Sequence, residues 1–214
     1  DHRDLHSFPT RRSSDLKAQA AKKAARELAK TRGEVKNNAL LSIANGLKSR
    51  QEEILEANEK DYQAGQQAGL DEAFLDRLLL TPDRLEGMAD DVRGVVMLPD
   101  PVGQVIEMKT MPNGLQVGKR RVPLGVIGTI YESRPNVTID ISVLCLKSGN
   151  AIILRGGKEA IHSNTALAGL VREDPKSTRL NSSHLLISHA VCFLKKKTDT
   201  TTFLTTRVFP PIPT

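Results

Sequence analysis

Apolar residues recur at helical spacing over the first half of the chain and in short strand-like runs over the second. Residues 17–30 are rich in Ala, Lys, Leu and Glu, which favour helix. Over residues 34–49 one helical face carries the apolar side chains Leu40, Ile43, Ala44 and Leu47. A third helix is predicted around residues 54–57, and Gly65 and Gly69 punctuate its end.

A fourth helix is predicted to begin at Thr81-Pro82-Asp83. Thr81 can cap it, Pro82 suits its first turn, and Asp83 favours the positive end of the helix dipole. We expect this helix to reach about residue 97 and to bury the apolar stripe formed by Leu85, Met88, Val92 and Val96. Residues 17–98 are therefore predicted to be a helical region.

After Pro101 the period of the apolar residues changes to that of strands. Segments 103–111 and 115–122 alternate, and Pro112-Asn113-Gly114 supplies a turn, which predicts a β-hairpin over residues 103–122. Strands at 125–130 and 151–154 are each followed by a predicted helix, at 137–147 and at 158–171, and Gly149 is expected to stop the first helix. This order indicates a parallel sheet with right-handed crossovers over residues 123–173.

Composition narrows the class of protein. The 214 residues are 39% hydrophobic and 26% charged, as in soluble globular proteins. No apolar run approaches the ~18 residues that span a bilayer, and the polar residues 1–16 show no secretory signal. Two cysteines make no disulfide framework. We therefore expect a cytoplasmic protein without membrane contact.

The net charge of +6 is concentrated at the ends, because residues 17–173 hold 22 basic and 20 acidic residues. The aromatic residues of this body are only Tyr62, Phe74 and Tyr131, too few for base-stacking platforms. We therefore expect no nucleic-acid partner. The body also holds one cysteine and one histidine. We interpret Cys145 as a buried structural thiol and His162 as a helix-surface residue, and we expect no metal site.

Both ends differ in character from the body. Residues 6–16 read HSFPTRRSSDL, which one frame of a common short-read sequencing adapter encodes. Residues 176–184 read KSTRLNSSH, a frame of the opposite adapter, and the match continues in order through ISHAVCFL at 187–194. We therefore expect residues 1–16 and 174–214 to be non-native, adapter-derived peptide, and the second segment to be disordered.

Two polar loops follow the two predicted parallel strands, where such sheets bind ligands. Arg155-Gly156-Gly157-Lys158 is a cationic, glycine-containing loop before a helix, and a helix N-terminus favours anions such as a phosphate or dinucleotide. A solvated strand-to-helix turn is the alternative. In the loop 131–136, Asn136 can either cap the next helix or direct its amide at an oxyanion.

Several segments carry a family resemblance. They are RVPLGVIG at 121–128, YESRPNVT at 131–138, LKSGNAIILRGGKE at 146–159, LDRL at 75–78 and DPVG at 100–103. Together they resemble the gamma-glutamyl phosphate reductases, or glutamate-5-semialdehyde dehydrogenases, of the aldehyde dehydrogenase superfamily. The resemblance covers residues 17–173. It implies an N-terminal fragment of an aldehyde-dehydrogenase-like α/β fold: helices, a β-hairpin arm, and the first β-α-β-α units of an incomplete Rossmann-like sheet.

The resemblance implies an oxidoreductase of proline, hence amino-acid, biosynthesis. Its reaction is the NADPH-dependent reduction of L-glutamyl 5-phosphate to L-glutamate 5-semialdehyde through a cysteine thiolate. The residues implied in binding NADPH or NADP are Ser133, Arg134, Pro135, Asn136, Arg155, Gly156, Gly157 and Lys158. Asn136 is implied as oxyanion donor, Arg155 as reaching the adenosine ribose, and Lys158 as favouring a 2′-phosphate. The hairpin resembles the family's oligomerisation arm, so the full-length enzyme is expected to be a homo-oligomer.

The chain departs from the family at the nucleophile. The catalytic cysteine of the family lies further downstream, and neither Cys145 nor Cys192 matches it, so we expect this chain to be inactive. A non-catalytic nucleotide-binding or assembly fragment is one alternative. A misfolding fragment with an exposed sheet edge is another. A basic C-terminal tail that binds nucleic acid is a further one.

Overall fold

The computed structural model describes the backbone of residues 9–172 and 191–193 and the side chains of residues 15–172. Five helices come first: α1 (Pro9–Leu28), α2 (Gly33–Ser49), α3 (Gln51–Gln67), α4 (Glu72–Leu78) and α5 (Pro82–Met97). The remaining elements are β1 (Val105–Thr110), β2 (Gln116–Arg120), β3 (Val126–Ile130), α6 (Pro135–Lys147), β4 (Ala151–Arg155), a short 3-10 helix (Lys158–Ala160), α7 (Ile161–Arg172) and β5 (Val191–Phe193).

The helical region is as predicted in kind, with differences at its edges. The apolar face expected for α2 is buried, and α5 begins as predicted, with Thr81 Oγ1 accepting the N–H of Arg84 at 3.2 Å. In contrast, α1 starts at Pro9 rather than near residue 17, so it crosses the boundary of the adapter-like segment. The sequence reading also missed α4, which Asp71 caps by accepting the N–H of Phe74 at 2.6 Å.

Two buried lysines join the helices to the root of the hairpin. Lys36 on α2 is 1% exposed, and its Nζ lies 2.7 Å from Asp100 Oδ2. Lys147 on α6 donates from Nζ to Asn37 Oδ1 at 2.7 Å and to the carbonyl of Val96 at 2.9 Å. Burial lowers the pKa of Lys147, against the opposing effect of Asp100. These contacts connect α2, α5, α6 and the segment before β1.

The hairpin forms as predicted, with β1 and β2 antiparallel and Thr110 opposite Gln116. The N–H of Met111 donates to the carbonyl of Leu115 at 2.8 Å, which closes the turn around Pro112-Asn113-Gly114. Most residues of both strands are exposed. The exposed apolar side chains of the hairpin are Val105, Ile106, Met108, Met111, Leu115, Val117 and Val122.

The second sheet is parallel, in the order β3-β4-β5. Strand β4 lies in the middle and is largely buried, with Ala151, Ile152 and Leu154 fully shielded from solvent. Helices α1, α6 and α7 contact β4 or its neighbours. Between the strands, α6 ends in a C-terminal turn in which Gly149, at φ +76°, follows the last helical residues, as a helix stop requires.

Strand β5 falls in the segment predicted to be disordered. Residues 191–193 pair in parallel with β4, so that expectation is wrong for these three residues. The rest of the segment 174–214 lies outside the described residues. No helix among the described residues is long and apolar enough to cross a membrane.

Candidate functional site

Two loops meet at the carboxyl ends of β3 and β4. Because the strands are parallel and Ile130 pairs with Arg155, both loops leave the sheet at the same edge. The N–H of Tyr131 donates to the carbonyl of Arg155 at 3.1 Å, so the loops start side by side. This edge is where open parallel sheets bind ligands. The structure therefore places the two loops that carry the predicted cofactor-binding residues at the same edge of the sheet.

A hydrogen bond joins the two loops. Ser133 is 4% exposed, and its Oγ donates to Glu159 Oε2 at 2.7 Å. Gly157 makes room for this contact, because a Cβ at residue 157 would overlap Ser133 Oγ. The hydroxyl of Ser133 is thus engaged within the protein. Its contribution to this edge is the placement of Glu159, a residue that the sequence reading did not single out.

Gly156 packs just as closely against side chains on its inner side. A Cβ at residue 156 would overlap Asn164 Nδ2 and approach the Tyr131 ring to 3.1 Å. The Tyr131 hydroxyl lies 2.6 Å from Thr138 Oγ1, and Thr138 donates to Asn164 Oδ1 at 2.9 Å. Asn164 Nδ2 is buried and has no hydrogen-bond partner among the described residues. A polar chain under the loop therefore demands glycine at residue 156.

Asn136 is not the cap of α6. The helix begins one residue earlier, at Pro135, and its N-cap is Arg134, whose side chain makes no capping bond. Asn136 lies in the first turn, where its Nδ2 donates to Asp140 Oδ2 at 3.1 Å. The capping interpretation is therefore wrong, because proline takes the first helical position. One amide N–H of Asn136 faces Asp140, and the amide group has a second to donate.

Asp140 is half-buried beneath this loop. Burial raises the pKa of its carboxyl, the hydrogen bond from Asn136 acts in the opposite direction, and the nearby Asp91 adds a smaller upward effect. Tyr131 behaves similarly, since burial raises the pKa of its hydroxyl against the effect of its contact with Thr138. Both groups are thus held in their neutral forms more strongly than in water.

The helix predicted from residue 158 begins as α7 only at Ile161. The short 3-10 helix separates Gly157 from α7. Asp61 on α3 accepts the N–H groups of His162 at 3.1 Å and Ser163 at 2.7 Å, together with the Ser163 hydroxyl at 2.7 Å. A carboxylate of the protein thus already binds these two amides. An anion at this edge would meet side-chain cations instead.

The two loops carry three cationic side chains. Arg134 and Arg155 are exposed, and neither guanidinium has a hydrogen bond or ion pair with any described residue. The Lys158 side chain is 79% exposed, and its Nζ lies 3.9 Å from Glu159 Oε1. A phosphate is the kind of ligand that such a set of cations attracts.

The remaining candidates occupy the places expected of them. Cys145 is free and 5% exposed, and burial raises the pKa of its thiol to about 11. Such a thiol stays protonated at neutral pH, which fits a structural role. His162 is exposed on α7. Among the described residues, no group of three or more His, Cys, Asp or Glu could hold a metal ion.

The arrangement of helices, hairpin and parallel strands is that of an aldehyde-dehydrogenase-like protein. A probable aldehyde dehydrogenase from Listeria monocytogenes superposes with a TM-score of 0.58 over 85% of this chain, at 16% sequence identity. A likeness at that identity shows the fold alone. No protein-family profile matches the chain.

Closer similarity identifies the family. Gamma-glutamyl phosphate reductase from Dehalococcoides mccartyi is 52% identical over 182 residues, covering 81% of this chain and 43% of that protein. The solved gamma-glutamyl phosphate reductase from Thermotoga maritima is 40% identical, with a TM-score of 0.77 over 84% of this chain and 42% of the other. The chain belongs to the gamma-glutamyl phosphate reductase family. It spans less than half the length of these relatives.

Proposed function

We propose that residues 17–173 form the cofactor-binding part of a reductase that converts L-glutamyl 5-phosphate to L-glutamate 5-semialdehyde with NADPH in proline biosynthesis. The observation that carries the proposal is the meeting, at the carboxyl ends of β3 and β4, of the cationic loop 155–158 with the polar loop 131–136, which contributes Arg134. The similarity to enzymes named gamma-glutamyl phosphate reductase supports the choice of substrate.

Three cations support a phosphate-bearing cofactor at this edge. Arg134 and Arg155 are exposed where the two loops leave neighbouring strands. Lys158 follows two glycines, whose lack of a side chain lets their loop pack closely against the neighbouring residues. In this proposal Arg155 contacts the adenosine ribose and Lys158 the 2′-phosphate, because a point charge suits a phosphate monoester. Bound there, the nicotinamide cofactor would supply the hydride.

Asn136 is proposed as the oxyanion donor. Its carboxamide lies on the first turn of α6, and the contact with Asp140 orients it. Because this contact fixes the carboxamide, it also fixes the direction of the second amide N–H of Asn136. Donors held in place before the reaction are those that stabilise developing charge most effectively. Asp140 is a positioning residue in this arrangement.

We further propose that this chain binds the cofactor without turning over substrate. A thiolate is the nucleophile in the mechanism that the family resemblance implies, and Cys145 is buried, protonated and packed in the core. A stand-alone nucleotide-binding fragment is therefore the second candidate function. Oxidation of NADPH by this chain in the presence of L-glutamyl 5-phosphate would contradict the proposed inactivity.

A fluorescence titration of the 214-residue chain with NADPH and NADH tests the binding proposal. We expect NADPH to bind more tightly, and Lys158→Ala to weaken NADPH by about 10-fold or more, as for a lost charge-assisted hydrogen bond. Lys60→Ala, which removes an exposed lysine on α3, is the matched control. Equal affinity for the two cofactors, or equal effects of the two substitutions, would argue against this site.

The exposed hairpin is proposed as the part that joins copies of the full-length enzyme into a homo-oligomer. Its seven exposed apolar side chains belong to a two-stranded ribbon in which nearly every residue is exposed. Apolar side chains left exposed in such number are typical of a surface that another protein chain covers. A cytoplasmic location is proposed along with this, in keeping with a biosynthetic enzyme.

A further inference from the structure

Glu159 is a carboxylate placed among cations that should bind a phosphate. Its Oε2 accepts the Ser133 hydroxyl at 2.7 Å, and its Oε1 lies 3.9 Å from Lys158 Nζ. An N⁺–H···O⁻ hydrogen bond is shorter, at about 2.8 Å. Lys158 and Glu159, although adjacent in sequence, are therefore not in a close ion pair.

The Ser133–Glu159 hydrogen bond fixes one oxygen of this carboxylate, Oε2, while Oε1 lies within ion-pair range of Lys158 but beyond direct hydrogen-bond distance. Ser133 is buried in the loop that follows β3. The space for its Oγ exists because residue 157 has no side chain. The Glu159 carboxylate, whose side chain is 29% exposed, is consequently tied to the buried loop rather than to the exposed ammonium group.

We infer that Glu159 is a specificity-determining residue for the cofactor phosphate and that Ser133 is the residue that positions it. Ser133 holds the carboxylate away from Lys158, so the ammonium group stays available to a 2′-phosphate. At the same time the Glu159 charge opposes that phosphate at longer range. The strength of NADPH selection over NADH thus depends on where the Glu159 carboxylate lies. This inference rests on the proposed binding of NADPH at the two loops.

Two variants of the same hydrogen bond should act in opposite directions. Ser133→Ala releases Glu159 to pair with Lys158, which should lower the preference for NADPH over NADH about twofold to fivefold, the scale of an exposed ion pair. Glu159→Gln removes the negative charge and should raise the preference by a similar factor, about twofold to fivefold. A hydrogen bond that only supports the fold would weaken both cofactors equally in either variant.

The test is a titration of the full chain and its variants with NADPH and NADH, with the ratio of the two Kd values as the readout. The double variant Ser133→Ala with Glu159→Gln should behave like Glu159→Gln alone, because no charge remains to move. Ser42→Ala on α2 and Glu53→Gln on α3 are matched controls away from the loops. A shift of the ratio in the same direction for both variants, or no shift in either, would overturn the inference.

A crystal structure of the Ser133→Ala variant separates this inference from the proposed function. We expect the Lys158–Glu159 distance to fall from 3.9 Å to that of a direct hydrogen bond, about 2.8 Å. An unchanged distance would overturn the role of Ser133, whether or not cofactor binds. If the distance falls while the unaltered chain binds neither cofactor, the proposed function fails and the positioning of Glu159 by Ser133 stands.

Discussion

Strands β3 and β4 are paired neighbours of equal length and similar apolar sequence, yet they differ sharply in burial. Ile152 on β4 is 0% exposed, whereas Ile130 on β3 is 80% exposed. In the described residues β4 has a strand on each side, and β3 pairs on one edge only. Burial in a parallel sheet is thus decided by neighbours rather than by the apolar character of the strand itself.

The largest expected effect comes from truncating a side chain in each strand. Ile152→Ala should destabilise the fold by about 2–5 kcal/mol, because it opens a cavity in a packed core. Ile130→Ala should change stability by no more than about 0.5 kcal/mol, since its side chain already faces solvent. Denaturant unfolding of both variants measures the difference. Similar losses would mean that β3 is also covered in solution.

A second contrast concerns glycines in the two regions. Gly156→Ala places a methyl group against Asn164 and Tyr131 and should cost about 1–3 kcal/mol as overpacking. Gly128→Ala on β3 meets nothing within 4 Å and should be neutral or stabilise by up to about 1 kcal/mol. Thermal unfolding of the two variants provides the comparison. If Asn164→Ala fails to relieve the destabilisation caused by Gly156→Ala, the clash with Asn164 is not the source of that destabilisation.

The smallest effect concerns Asp140, on the helix that follows β3. Because burial raises the pKa of this carboxyl in the folded state, the wild-type protein loses stability as pH rises from the ordinary value of 3.8 through the raised one. Asp140→Asn lacks that loss, so it should gain stability relative to wild type as pH rises through this window. Unfolding curves between acid and neutral pH test this. Curves that stay parallel would show that Asp140 is not shifted.

Local patterns carried much of the fold. Thr81-Pro82-Asp83 predicted the start of α5, and the turn residues predicted the hairpin, because caps and turns depend on adjacent positions. The apolar pattern predicts the start of α6 at residue 137, but the helix begins at Pro135, because proline favours the first helical position. Capping was therefore one of the two roles considered for Asn136, although the residue lies in the first turn of the helix.

Contacts between distant segments could not be read from the chain. Lys36 and Asp100 are 64 residues apart in sequence, and Asp61 and Ser163 are 102 residues apart. No local sequence spacing therefore predicts either pair. The two site loops were predicted because parallel strands bring their carboxyl ends together. The bond from Ser133 to Glu159 was missed, since it depends on the separation of the loops in space. How these residues bind cofactor stays a prediction.

The pairing of Lys36 with Asp100 has a mechanical consequence. Asp100 lies just before β1, and its carboxylate also accepts the N–H of Val102 at 3.0 Å. Val102, before β1, and Pro123, after β2, both lie against the position of Gly149, at the end of α6. A force applied to the tip of the hairpin would consequently reach α2 and α6 through its base. The base of the hairpin is therefore anchored on α2 and at the end of α6, on the side of the sheet opposite the two site loops.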